Sequence, residues 1–151
     1  MLVTVEKHRR LLTLWDGDLP VFTAAIALGR APEGPKLAQG DGRTPEGRYR
    51  VCLVKEQGRY GLSLGLSYPN AADAQTAFAQ GRIDHATLTA VLAAEASGAR
   101  PPWGSPLGGE IYLHEGPTDR DWTQGCIALA PADMAVFWAH RDQVEAVDIR
   151  P

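Results

Sequence analysis

Apolar and polar positions change period several times along this chain, and each change marks an element. Leu2-Val3-Thr4-Val5 and Leu11-Leu12-Thr13-Leu14-Trp15 are short apolar or β-branched runs separated by charged residues. Such runs predict strands. Asp16-Gly17-Asp18 predicts a hairpin turn, because Gly takes the positive φ that tight turns need. Val21 to Leu28 then predicts a long buried strand, and two consecutive hairpins make an antiparallel meander. Tyr49 to Val54, Tyr60 to Tyr68, Glu110 to His114 and Val144 to Ile149 predict four more strands.

Helical spacing appears three times. Asn70 is placed to cap a helix over Ala71–Gln80, with Asp73 in its first turn and Gly81 as its stop. Asp84 is placed to cap a second over 84–96, where Leu88, Val91 and Leu92 share one face and Gly98 ends it. Pro131 and Asp133 open a third that runs through Trp138. Between Gly29 and Gly47, eight Gly and Pro residues punctuate a long loop. Loops of this length inside a compact domain are often functional. A second Pro/Gly-rich loop covers 100–109. The expected fold is mainly β, with about three peripheral helices and one domain over residues 1–151.

Composition narrows the function classes. The 151 residues are 44% hydrophobic and 22% charged, as in soluble globular domains. A net charge of -3 gives no electrostatic footprint for nucleic acid. Lys7-His8-Arg9-Arg10 reads as the decoration of a strand turn. The longest mostly apolar run, Leu19 to Leu28, is too short to span a membrane. Met1 to Glu6 lacks the basic and apolar regions of an export signal. A cytoplasmic location is expected unless a signal has been removed.

The candidate chemistry lies between His114 and Cys126. A thiolate attacks carbonyls, and a nearby imidazole can take the thiol proton. Gly125 permits a tight turn before Cys126, which would aim the N–H groups of Gln124, Gly125 and Cys126 at one point, as an oxyanion hole requires. Read alone, Cys126 fits a packed core thiol equally well, and a single bridge between Cys52 and Cys126 stays open. His8, His85 and His140 read as surface residues. His114, Glu115, Asp119, Asp121 and Cys126 are close in sequence but lack the paired spacing of a zinc site, so no metal is expected.

The wider pattern resembles the L,D-transpeptidase catalytic domain (YkuD-type), in a short branch with a Trp-Thr-x-Gly-Cys-Ile-Ala core. Trp122-Thr123-Gln124-Gly125-Cys126-Ile127-Ala128 is that core. Val5-Glu6-Lys7 through Asp16-Gly17 is similar to the family's first hairpin. Lys36 with Gly40-Asp41-Gly42-Arg43-Thr44-Pro45-Glu46-Gly47-Arg48-Tyr49 resembles its K…GDxRTPEGxY segment. Ser67-Tyr68-Pro69-Asn70 and Gly108-Gly109-Glu110-Ile111-Tyr112-Leu113-His114 match two further motifs, all in the family's order.

The resemblance implies a β-sandwich-like fold and no cofactor. It implies Cys126 as nucleophile and His114 as base. Cys would attack the carbonyl between an L- and a D-centre of a peptidoglycan stem peptide. An amine would resolve the thioester in a transpeptidase, and water in an L,D-carboxypeptidase or in an amidase releasing peptidoglycan-linked protein. A non-catalytic peptidoglycan-binding module is the alternative from another class. The family works in the cell envelope or periplasm. Thr123 is expected to fix the site turn, Trp122 to floor the substrate groove, and Tyr68 to line the cleft through its hydroxyl. Two departures stand out. Glu115 splits the usual His-Gly pair, and Ala128 stands where many members carry an Arg that can grip a carboxylate. Lys36 or Arg43 is expected to supply that charge instead. Residues 82–107 read as a helical insertion, either a lid over the cleft or an added surface layer.

Overall fold

The computed structural model describes residues 1–151. Its strands are β1 (Leu2–Glu6), β2 (Leu11–Asp16), β3 (Leu19–Ala27), β4 (Gly47–Tyr49), β5 (Val51–Gly58), β6 (Gly61–Leu66), β7 (Tyr112–Glu115), β8 (Ile127–Leu129) and β9 (Ala146–Arg150). They form one nine-stranded sheet in the order β4-β9-β1-β2-β3-β8-β7-β6-β5. The meander β1-β2-β3 is antiparallel as expected, while β1 also pairs in parallel with β9. Long β3 serves two halves: its first part pairs with β2 and its end with β8.

The sheet nearly closes on itself. Its two outer strands, β4 and β5, are separated in the chain by Arg50 alone. Arg50 donates its N–H to Ser67 Oγ at 2.8 Å, and its carbonyl accepts from Ser67 N–H at 2.9 Å. The run expected as a single strand, 49–54, is therefore the corner where the chain leaves one edge and starts the other. A near-barrel leaves few unpaired edges.

The core fills the space between the two halves. Val3, Val5, Leu12, Leu14, Ile26, Leu64, Leu66, Leu113, Ile127, Leu129, Val147 and Ile149 belong to it. They alternate with outward residues along each strand, as the period of two requires. Helix α3 (Pro131–Trp138) adds Met134 and Phe137 to it. Helix α1 (Ala71–Ala79) starts in a full capping box, Asn70 Oδ1 accepting from Asp73 N–H and Asp73 accepting from Asn70 N–H. Helix α2 (His85–Ser97) is capped by Asp84 and ends at Gly98 in the left-handed conformation. The two pack through a separate cluster of Ala74, Ala77, Ile83, Val91 and Leu107. No helix is long and apolar enough to cross a membrane.

Candidate active site

The site is built on the parallel pair β7–β8. Leu113 lies opposite Ile127 and His114 opposite Ala128. Leu113 and Ile127 face the core, so Tyr112, His114, Cys126 and Ala128 share the other face. Cys126 thus lies diagonal to His114 across neighbouring strands. Strands about 4.8 Å apart, with a rise of about 3.3 Å per residue, put the two Cα atoms roughly 8 Å apart, and no hydrogen bond joins Sγ to the imidazole. Both side chains line one cavity of about 240 Å³.

The turn before Cys126 is fixed by backbone crowding. Gly125 has φ +134°, and a Cβ there would lie 2.7 Å from the Arg43 carbonyl oxygen. Gly29, at the end of β3, is equally hemmed in: a Cβ would lie 2.1 Å from Gly42 O and 3.1 Å from Gly125 Cα. Three glycines therefore let the β3 end, the 29–47 loop and the Cys turn touch. Thr123 locks the turn from both sides, its hydroxyl donating to Cys126 O at 2.7 Å and accepting from Gly125 N–H at 3.1 Å. Gly125 N–H is thereby occupied and is not an oxyanion donor, contrary to expectation. The N–H groups of Gln124 and Cys126 donate to no acceptor within the protein. Asp121 ties the approach to this turn, accepting from Arg10 at 2.8 Å and from Leu28 N–H at 3.0 Å.

His114 is 2% exposed. Its Nδ1 lies 2.7 Å from Glu115 O. A carbonyl only accepts, so Nδ1 carries the proton and Nε2 holds the free lone pair. Nε2 is buried with no partner in the protein. Tyr60 stacks on the ring at 4.6 Å between centroids, and Trp122 meets it edge-on at 5.7 Å. Ser63, directly opposite His114 on β6, lines the same cavity. Tyr60 and Ser63 carried no sequence motif; the period of two that puts Leu64 and Leu66 in the core is the signal that sets Ser63 on the site face.

Electrostatically the pair rests neutral. Burial pushes the Cys126 thiol up to about 11, with the Tyr112 N–H and the Lys36 charge pulling the other way. Burial also lowers His114 below its ordinary value, against the Glu115 carbonyl and carboxylate. Sγ accepts from Tyr112 N–H at 3.4 Å and donates to Glu110 O at 3.5 Å. Both Cys52 and Cys126 are free thiols, so no bridge disables the site. No three His, Cys, Asp or Glu side chains gather as a metal-ligand set. A thiol, an imidazole with one open nitrogen and two spare N–H donors are the groups that acyl transfer requires.

The L,D-transpeptidase catalytic domain (YkuD) family matches residues 1–149. The chain belongs to the L,D-transpeptidase catalytic domain family. Among solved structures it is similar to the helical cell shape determining protein Pgp2 from Campylobacter jejuni, at 23% identity and TM-score 0.67, over 99% of this chain and 46% of that one. Bd1075 from Bdellovibrio bacteriovorus follows at 18% identity and TM-score 0.58, over 99% and 47%. An L,D-transpeptidase from Mycobacterium smegmatis matches at 12% identity and TM-score 0.53, over 99% and 58%. The chain thus spans about half the length of these proteins, and at such identities they share its fold. No curated protein matches.

Within this L,D-transpeptidase domain, the residues expected to bind substrate scatter. Tyr68 does not line the cleft. It is fully buried, and its hydroxyl donates to Leu107 O at 2.8 Å. The Arg43 guanidinium lies against Gly34, away from Cys126, and only its backbone carbonyl meets the site turn. Lys36 does approach Cys126, sharing with it a second cavity of about 110 Å³. Yet its ammonium is buried and already bonded to Asp41 Oδ1 at 2.9 Å and Ala38 O at 3.1 Å. Trp122 packs on His114 and donates to Pro117 O at 2.9 Å, so it walls the base rather than flooring a groove. No residue of 82–107 lines either cavity beside Cys126, and α2 packs on α1, so this segment is not a lid over the site. Lys7 is not turn decoration. It is 2% exposed and donates to Gly34 O, Thr44 O and Glu46 Oε2.

Proposed function

We propose that this domain is a cysteine acyltransferase that crosslinks peptidoglycan stem peptides through a thioester. One observation carries the reading: the β7–β8 ladder sets Cys126 diagonal to His114 in one cavity, and His114 keeps only Nε2 open. His114 Nε2 takes the thiol proton as Sγ attacks the carbonyl carbon and the S–C bond forms. The N–H groups of Gln124 and Cys126 hold the oxyanion. Collapse breaks the C–N bond, and the imidazolium gives its proton to the leaving D-residue's amine. An acceptor amine then loses a proton to Nε2 and attacks the thioester, forming the new amide and regenerating the thiol. Such chemistry belongs where peptidoglycan lies, outside the cytoplasmic membrane. Pgp2 is described as determining helical cell shape, and a role in cell shape falls within this proposal.

The test is incubation with purified muropeptides, followed by product masses and the mass of the intact protein. Dimers with a new bond, together with an acyl adduct lost in Cys126→Ala, are expected. His114→Ala should lower turnover by about 10²–10⁴. Shortened peptides without dimers would reassign the domain as a carboxypeptidase or amidase. No adduct and no product would leave a binding module.

A further inference from the structure

The carboxylate grip usually expected two residues after the nucleophile is absent, since Ala128 is fully buried and carries no charge. Neither Lys36 nor Arg43 replaces it, for the reasons above. The cavity shared by Cys126 and His114 contains two other cations, Lys55 from β5 and Arg59 from the turn that follows. Lys55 Nζ rests 5.2 Å from the Tyr112 ring centroid, and the Arg59 guanidinium carbon 5.4 Å from that of Tyr60. Neither makes a hydrogen bond or ion pair within the protein, whereas Lys7, Arg10 and Lys36 all do. Tyr112 flanks Cys126 and Tyr60 stacks on His114. The two rings therefore hold unpaired positive charge beside the two reacting groups. Glu110 is the only acid lining this cavity, so two fixed positive charges face one negative.

The position says which end of the substrate they meet. His114 must protonate the leaving amine, so the leaving residue occupies the cavity that holds His114. We propose that Lys55 and Arg59 form the subsite for a free carboxylate flanking the scissile bond, replacing the charge that position 128 lacks. The inference rests on the stem-peptide reading. Two carboxylates can flank that bond, the C-terminal one of the leaving D-residue and the side-chain one of a diamino acid that has it. The leaving residue's is favoured by its shared cavity with the base.

Three synthetic tetrapeptides test this: fully free, amidated at the C-terminus, and amidated at the diamino acid side chain. Initial rates are measured by product mass for the wild-type domain and for K55Q/R59Q, which keeps long polar side chains at two exposed positions. For the free peptide, the double variant should raise KM about tenfold or more, as loss of charge-assisted hydrogen bonds implies, with kcat within about threefold. The amide that raises the wild-type KM similarly, and on which the variant has no further effect, identifies the carboxylate. K55E/R59E should invert the preference toward that amide. High salt should raise the wild-type KM for the free peptide, because these charges are exposed. An unchanged KM in K55Q/R59Q on the free peptide, with wild-type turnover intact, overturns the subsite and leaves the acyl-transfer reading standing. A wild-type protein that forms neither thioester nor product overturns both.

Discussion

Cys126 and His114 differ from a pre-ionised pair in a way that pH exposes. Burial holds the thiol near 11 and the imidazole below its ordinary value, so at neutral pH both are uncharged and the proton must move during attack. Alkylation of Cys126 by iodoacetamide should therefore climb about tenfold per pH unit up to about 11, following the thiolate fraction. A plateau between pH 6 and 8 would show a thiolate–imidazolium pair instead. Activity has the matching sign on its acid side. The base must be neutral, and a lowered His114 value keeps it neutral further into acid, so the acid limb of kcat/KM should have its midpoint below 6.5. That Cys126 and His114 share one cavity is legible in the chain, because strand β7 leads directly to one and a glycine turn to the other. The places of Tyr60 and Ser63 are not, because a long-range strand pairing brings them to the site. Tyr68 misled for the opposite reason: its motif is real, but a hydroxyl that serves the Leu107 carbonyl looks the same in sequence as one that serves a substrate.

Among the elements, those set by local signals are legible in the sequence and those set by distant partners are not. The Asn70 capping box and the Gly98 terminator place α1 and α2 to within a residue or two, since caps act over one helical turn. Strand β8 has no local signal, being three residues long and defined only by its neighbours β3 and β7. Glu115 is the instructive case. Its presence between His and Gly was visible, but its job was not. The carboxylate reaches the β5–β6 turn and accepts from Leu62 N–H at 3.0 Å. Gly61 has φ +80°, and a Cβ there would lie 1.4 Å from Glu115 Oε2. Only a glycine at 61 leaves room for that carboxylate, and the turn it secures contains Tyr60, which stacks on His114. Gly61→Ala should expel the carboxylate, orphan the Leu62 N–H and cost about 1–3 kcal/mol in chemical denaturation. Glu115→Gln keeps an acceptor and should cost clearly less. The Gly61 variant should also lose turnover beyond its stability loss, because the ring on His114 shifts. Equal stability of Gly61→Ala and wild type would remove this lock from the account.

At the scale of the whole molecule, the site depends on a loop held from the far side. Residues 29–47 wall the Cys turn through Gly29 and Arg43, yet contain no strand before β4. Their own anchor, Asp41, collects N–H groups from Leu37, Ala38 and Arg43. The link to the sheet is Lys7, after β1, whose buried ammonium bonds two loop carbonyls and the Glu46 carboxylate. In sequence Lys7 belonged to a run of basic residues, and nothing local separated it from exposed Arg9. Burial is what distinguishes them: Lys7 and Glu46 side chains are 3% and 18% exposed, those of Arg9 and Glu6 are 56% and 33%. Removing one partner of a buried pair strands the other, at about 3–5 kcal/mol, whereas an exposed pair contributes about 0–1 kcal/mol. Lys7→Met should therefore lower Tm by roughly 10 °C in a domain of this size. It should also slow acylation of Cys126, because the loop wall loosens. Arg9→Ala should change neither. Adding Glu46→Gln to Lys7→Met removes the stranded charge and should recover part of the lost stability, though not the partners of the Gly34 and Thr44 carbonyls. If Lys7→Met costs no more than Arg9→Ala, the loop holds the Cys turn without help from β1, and Asp41 is left as its anchor.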